Sequence, residues 1–279
     1  MNQEAAAMRR IVLGLQYDGS SWQGYQSQPH QNTVQDVLEA ALAQFSTRQL
    51  HTTCAGRTDA GVHALQQVVH FDTDLARSDY SWVNGVNAFL PKSIAVRWAC
   101  EVPLALADGR EFHARFAATS RTYHYLLFNN KVRSPILAGR AGWVFRPLDL
   151  QRMQEAAACL LGTHDFSAFR AAGCQAKTPV KEMHEVRIRQ IGDMFVFTLR
   201  ASAFLHHMVR NIVGSLIYVG SGAKPAPWLG EVLAAGDRSR AAPTFMPDGL
   251  YLAQINYDPA WGLPMEDYAE LPFLHGVAG

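Results

Sequence analysis

Apolar and polar positions along this chain follow two periods, near two and near 3.6, and the points where one gives way to the other predict its elements. Residues 11–17 (Ile-Val-Leu-Gly-Leu-Gln-Tyr) read as a buried strand. A Gly/Ser/Gln-rich loop runs from Asp18 to Asn32, followed by a helix over Thr33–Phe45. Val34, Val37, Leu38, Ala41, Leu42 and Phe45 fall on one stripe of that helix, and Thr33 with Asp36 makes a capping start. His51–Ala55 is a short strand, Gln66–Phe71 another, Tyr80–Asn87 a helix ending before Pro91, and Ile94–Cys100 a strand. In the second half Arg121–Phe128 reads as a strand and Asp149–Leu161 as a helix with Asp149 as N-cap and Gly162 as its stop. Val186–Gln190 and Phe195–Ala201 are strands around the turn Ile191-Gly192-Asp193. Phe204–Val219 and Pro225–Ala235 are helices, and Leu250–Tyr257 is a closing strand.

This order predicts an α+β fold: two pseudo-repeated α/β halves sharing a mixed, mainly antiparallel sheet, with helices on one face and a central cleft. The N-terminal half is expected over residues 9–110 and the C-terminal half over 111–260, with tails at 1–8 and 261–279. No Pro/Ser/Gly linker separates the halves. The chain has 279 residues, long enough for a sizeable core, and no apolar run long enough to span a bilayer. Arg9-Arg10 is followed by only a short apolar run, which does not read as a signal peptide. Cys54, Cys100, Cys159 and Cys174 are scattered, form no C-x-x-C, and read as reduced core residues of a cytoplasmic protein. No H-E-x-x-H and no zinc-spaced Cys/His cluster is present, so neither a metal nor another cofactor is expected.

The net charge of +1 hides an uneven distribution. From Arg110 to Arg146 there are seven basic residues (Arg110, Arg115, Arg121, Lys131, Arg133, Arg140, Arg146) and one acid, Glu111. Such a basic middle can be an ordinary solvated surface or a face that meets phosphates.

Three constellations could carry chemistry. The first is Cys54-Ala55-Gly56-Arg57-Thr58-Asp59-Ala60-Gly61-Val62-His63-Ala64, in which Gly56 and Gly61 allow unusual backbone and the loop can present Arg57 and Asp59 from a rigid base. The plainer reading is a tight turn capped by Asp59. The second is a polar stripe, His207, Arg210, Asn211 and Gly214, on the apolar helix over 204–219. An arginine there needs an anionic partner, for which Asp59 is a candidate, or the stripe faces solvent. The third interleaves aromatics and cations: Phe112-His113-Ala114-Arg115-Phe116, then Ser120-Arg121-Thr122-Tyr123-His124-Tyr125. Flat rings can stack on unpaired bases, and arginine can meet phosphate. In a strand Tyr123 and Tyr125 share one face and His124 takes the other, and one of the two tyrosines is expected in the core. Asp72-Thr73-Asp74 resembles a phosphate-transfer D-x-D only in form. A glycosidase needs a second facing carboxylate, which these patches lack.

Together with Tyr17-Asp18-Gly19, Thr33-Val34-Gln35, Gln67-Val68-Val69-His70-Phe71, Phe204-Leu205-His206-His207-Met208-Val209-Arg210-Asn211-Ile212-Val213-Gly214 and Gly249-Leu250-Tyr251-Leu252, these runs resemble the tRNA pseudouridine synthase A family over about Ile11–Tyr257. Tyr25 stands where a Trp is usual. The resemblance implies isomerisation of uridine to pseudouridine at positions 38, 39 and 40 of the tRNA anticodon stem-loop, without a cofactor, by a homodimer whose one tRNA contacts both subunits. It implies that Asp59 is the catalytic aspartate and Arg210 its partner, that Arg57 enters the base stack, and that Tyr123 covers the target uracil. His63 and Arg115 complete the candidate substrate-binding set. The rival readings are a tRNA-binding or refolding protein without turnover, and an aspartate-dependent hydrolase of a small glycoside or nucleoside.

Overall fold

The first strand is buried almost throughout because it is central. In the computed structural model, which describes residues 7–266 and residue 268, β1 (Arg9–Tyr17) has antiparallel neighbours on both sides. These are β3 (His63–Thr73) and β4 (Ile94–Val102). A strand covered on both faces reads as a continuous apolar run, as Ile11–Leu15 does. α1 (Val34–Ser46) begins where expected. Thr33 accepts from Asp36 N, and its hydroxyl donates to the Asp36 carboxylate at 2.5 Å. α1 and α2 (Asp79–Asn87) meet around Trp82, wholly buried, whose ring lies 5.4 Å from Phe45 and 5.2 Å from Phe71. Gly85 is required there, since a Cβ would lie 2.0 Å from the Phe45 ring. β2 (Thr53–Cys54) is a two-residue strand on β3.

These elements, with Leu252–Tyr268, form one unit, whose strand order is β4-β1-β3-β10, where β10 is Leu250–Tyr257. The second unit, Ser120–Tyr251 among the described residues, holds nearly all of β5 (Ala118–Asn129). It also contains β6 (Gly142–Val144), α3 (Leu150–Ala157), β7 (Gly162–Asp165), β8 (Val180–Ile191), β9 (Met194–Ala201), α4 (Met208–Gly220) and α5 (Trp228–Ala235). Its strand order is β5-β9-β8-β7, antiparallel at β5/β9, β9/β8 and β8/β7, with β6 parallel beside β5. The fold is thus α+β with a mixed, mainly antiparallel strand arrangement, as expected. The first unit runs strand, helix, two strands, helix, strand, and the second two strands, helix, three strands, two helices, so the expected repeat holds only in outline. Among the described residues no helix is long and apolar enough to cross a membrane. Of the expected tails, residues 1–6, 267 and 269–279 lie outside the described residues.

Two boundaries and two short strands differ from the sequence reading for identifiable reasons. Gly162 does not stop a helix. α3 ends at Ala157 and passes into a 3-10 turn, and Gly162, at φ +93°, opens β7. The apolar helix begins at Met208 and not at Phe204, because His207 adopts the left-handed conformation (φ +63°) and turns the chain into the helix. β6 and β7 were not anticipated; three or four residues carry too little periodicity to read.

Candidate active site

The glycine loop connects β2 to β3, and backbone hydrogen bonds define its shape. The Asp59 carbonyl accepts from Val62 N at 3.1 Å, closing a turn in which Gly61 sits at φ +79°. A type II turn requires a positive φ at that position, hence glycine. Gly56 does not adopt a positive φ. Its contribution is its carbonyl, which accepts from Gln67 Nε2 at 2.6 Å. Gln67 is wholly buried in β3, and its Oε1 accepts from Val68 N at 3.2 Å. Thr58 is buried, with its hydroxyl 2.8 Å from the Tyr17 hydroxyl and its carbonyl accepting from Tyr25 N at 3.0 Å. Gly61 N donates to the Trp22 carbonyl at 3.2 Å. Thr58 therefore points inward, while Arg57 is exposed and Asp59 half-buried on either side of it.

His63, at the start of β3, is buried beneath this loop. Its Nδ1 accepts from Gly19 N at 3.0 Å. Asp18 Oδ1 is 3.2 Å from the same nitrogen, but a nitrogen accepting an N–H has no proton to donate. That carboxylate oxygen instead receives Ser20 N at 3.0 Å and Ser20 Oγ at 2.6 Å. His63 thus fixes Gly19, where a Cβ would lie 1.9 Å from the Val62 carbonyl oxygen. Tyr25, the departure from the family pattern, is a core residue whose ring lies 6.4 Å from that of Tyr17.

The aromatic–basic run 112–116 divides between core and surface. Phe112 and Ala114 are fully buried, while Arg115 and Phe116 are exposed. Burial pushes the Cys54 thiol up to about 11, and Arg57 and Arg115 both oppose that shift, so both guanidinium charges act on this one thiol. Asp72 and Asp74 are engaged in ion pairs: Asp72 holds Arg10 through two contacts of 2.7 and 2.8 Å, and Asp74 pairs with Arg48. The Arg10 guanidinium holds the Asp72 carboxyl below the usual carboxylate range.

In the second unit Tyr123 lies on β5 opposite Leu199, 9% exposed, its ring edge-on to Phe204 at 5.0 Å. Both tyrosines are buried; Tyr125 is wholly so, and its hydroxyl donates to the Met246 carbonyl at 3.0 Å. His124, on the opposite face, lies 3.0 Å from Thr198 Oγ1. The polar stripe of α4 does not simply face solvent; it seats the segment over residues 238–245. Arg210 Nε donates to the Phe245 carbonyl at 2.8 Å. Asn211, wholly buried, donates to the Phe169 carbonyl at 2.7 Å and accepts from Thr244 Oγ1 at 2.7 Å and Arg238 Nη2 at 3.1 Å. At Gly214 a Cβ would lie 2.7 Å from the Pro243 carbonyl oxygen. His207, expected on this stripe, sits outside the helix for the reason given above.

Sequence reasoning missed the supports: Gln67, Thr58 and Tyr17 under the glycine loop, and Arg238 and Thr244 on Asn211. One signal was available, the consecutive glutamines Gln66-Gln67 between the apolar pairs Ala64-Leu65 and Val68-Val69. Gln67→Leu removes the donor to Gly56 and should cost about 1–3 kcal/mol of stability, the usual penalty for stranding a buried carbonyl. Activity should fall with it while RNA binding persists. Urea unfolding alongside turnover checks this, and unchanged stability would mean that the loop does not depend on Gln67.

Comparison with known proteins places the chain in a family. A family model described as tRNA pseudouridine synthase matches residues 15–124 and 156–258. A protein of Herminiimonas arsenicoxydans named tRNA pseudouridine synthase A is 65% identical over 264 residues, covering 95% of each chain. Its namesake in Janthinobacterium sp. (strain Marseille) is 64% identical over 92% of this chain and 94% of its own. That of Paraburkholderia phytofirmans is 58% identical over 95% and 96%. With a turn-locked loop carrying Arg57 and Asp59, and a family match over most of its length, the chain belongs to the tRNA pseudouridine synthase family.

Proposed function

We propose that this protein isomerises uridine to pseudouridine at positions 38, 39 and 40 of the tRNA anticodon stem-loop. The observation that carries the reading is the glycine loop, in which an exposed arginine and a half-buried carboxylate are held two residues apart by backbone hydrogen bonds, within a chain of this family. The reaction breaks the N1–C1′ bond, turns the uracil, forms C5–C1′, and moves the C5 proton off the ring as N1 gains one. Asp59 acts at the sugar, as a nucleophile at C1′, as a base, or by stabilising positive charge there. A stacked base is out of reach, so the nucleotide is flipped; Arg57 supports the gap and Tyr123 covers the uracil. Arg210 is the partner of the catalytic carboxylate. Arg115 meets the RNA backbone, and His63 acts through Gly19 as a positioning residue. Isomerisation is redox-neutral and needs no cofactor. The enzyme works in the cytoplasm as a homodimer, one tRNA contacting both subunits.

Incubation with unmodified tRNA tritiated at uracil C5 tests the reading. Tritium release with pseudouridine formed at these positions is expected. Binding without release would make the protein a tRNA binder, and free uracil would make it a hydrolase.

A further inference from the structure

Phe116 is 75% exposed, yet the backbone that carries it is held by several hydrogen bonds. His113 Nδ1 accepts from Arg115 N at 3.1 Å and Phe116 N at 3.4 Å, and the His113 carbonyl accepts from Phe116 N at 3.0 Å and Ala117 N at 2.9 Å. Ala114 is held on both sides: its N–H donates to His70 Nδ1 at 3.2 Å, and its carbonyl accepts from the Tyr257 hydroxyl at 2.6 Å. The Phe112 carbonyl accepts from Arg10 Nη1 at 2.5 Å, and its ring is buried 5.2 Å from Trp261 and 5.5 Å from Tyr257. Outside this mounting, the Phe116 ring lies 4.3 Å from that of His113, with the Arg115 guanidinium 5.7 Å from its centroid.

We propose that Phe116, flanked by Arg115, is a stacking platform for an unpaired base of the substrate RNA, a binding station additional to the one at Asp59. This rests on the RNA-modifying function proposed above. An exposed phenyl ring offers nothing to the core, and holding it rigid reduces the entropy lost when a flat partner stacks on it. The charge beside the ring is cationic, the Arg115 guanidinium 5.7 Å from its centroid. That suits a base attached to phosphate. A second copy of the chain fits less well, because a standard protein interface needs about 800 Å² per partner and one aromatic side chain supplies about 150–250 Å².

The test compares wild type with Phe116→Ala, Phe116→Leu and Phe116→Tyr. It measures affinity for an unmodified tRNA transcript at fixed salt, single-turnover tritium release at saturating enzyme, melting temperature and oligomeric state. Ala and Leu should each raise Kd about 5- to 150-fold, the range for one stacked base. Tyr should bind like wild type, and the saturated rate and melting temperature should be unchanged, since the ring is neither in the core nor at the reacting atoms. Wild-type affinity in Phe116→Ala would overturn the proposal. So would full binding by Leu, which keeps apolar bulk without a π face, or a changed oligomeric state with unaltered affinity, which would assign the ring to a second copy. Failure of wild type to release tritium would instead sink the synthase reading, and the Kd series would still decide the platform.

Discussion

Asp59→Asn is expected to abolish turnover while leaving tRNA affinity within a few-fold of wild type. Asn has nearly the same shape, and hydrogen bonds at the Gly56, Thr58 and Asp59 carbonyls and the Thr58 hydroxyl, none of which the substitution touches, hold the loop. The side chain is half-buried, so the change opens no cavity. What disappears is a negative charge at the place where the sugar becomes electron-poor or is attacked. Loss of a nucleophile, or of the main electrostatic stabiliser, should raise the barrier by about 4 kcal/mol or more, a thousand-fold or greater fall in rate. Single-turnover tritium release measured beside equilibrium binding separates the two effects. A rate within ten-fold of wild type would remove Asp59 from the chemistry. A parallel collapse of binding would mean that the carboxylate shapes the loop after all.

What could be read in the sequence was whatever depends on near neighbours. The Thr33 cap lies three residues from its partner, the closing strand Leu250–Tyr257 is one unbroken run, and the turn at Gly61 is set by the residues beside it. The expected helix stripe of α1 is likewise borne out, with Val34, Leu38, Ala41 and Leu42 buried. What could not be read joins residues far apart in the chain. Gly56 looked like a residue chosen for unusual backbone angles, yet it adopts no positive φ, and its use is a carbonyl met by Gln67 across the β2–β3 pairing. His207 looked like the first residue of a polar stripe, but one left-handed φ value, which no periodicity encodes, moves it off the helix. The run 112–116 looked uniformly aromatic and basic; only the contacts of Phe112 with Tyr257 and Trp261 separate its buried anchor from the exposed Phe116.

His70 should make the first unit sensitive to acid well before its carboxylates titrate. Its ring is 8% exposed on β3 and its pKa is pushed down to about 4, first by burial and then by the neighbouring Arg10 and His113. Asp72 and a hydrogen bond to the Thr53 backbone oppose the shift without cancelling it. His113 is shifted in the same direction, mainly by burial. A histidine whose pKa is lower folded than unfolded binds fewer protons in the native state. Its neutral form therefore costs nothing above the unfolded value near 6.5, and stability is lost as pH falls from there towards 4. A shift of this size corresponds to about 3 kcal/mol over that window, at 1.36 kcal/mol per pH unit. Protonation has a local consequence as well, because Nδ1 would no longer accept the Ala114 N–H, and that bond helps to mount the 112–116 segment. Urea unfolding between pH 7 and 4 should show the loss in wild type, and His70→Gln, which offers an acceptor that does not titrate, should flatten it. If both proteins lose stability equally between pH 6.5 and 4.5, His70 is not the group responsible.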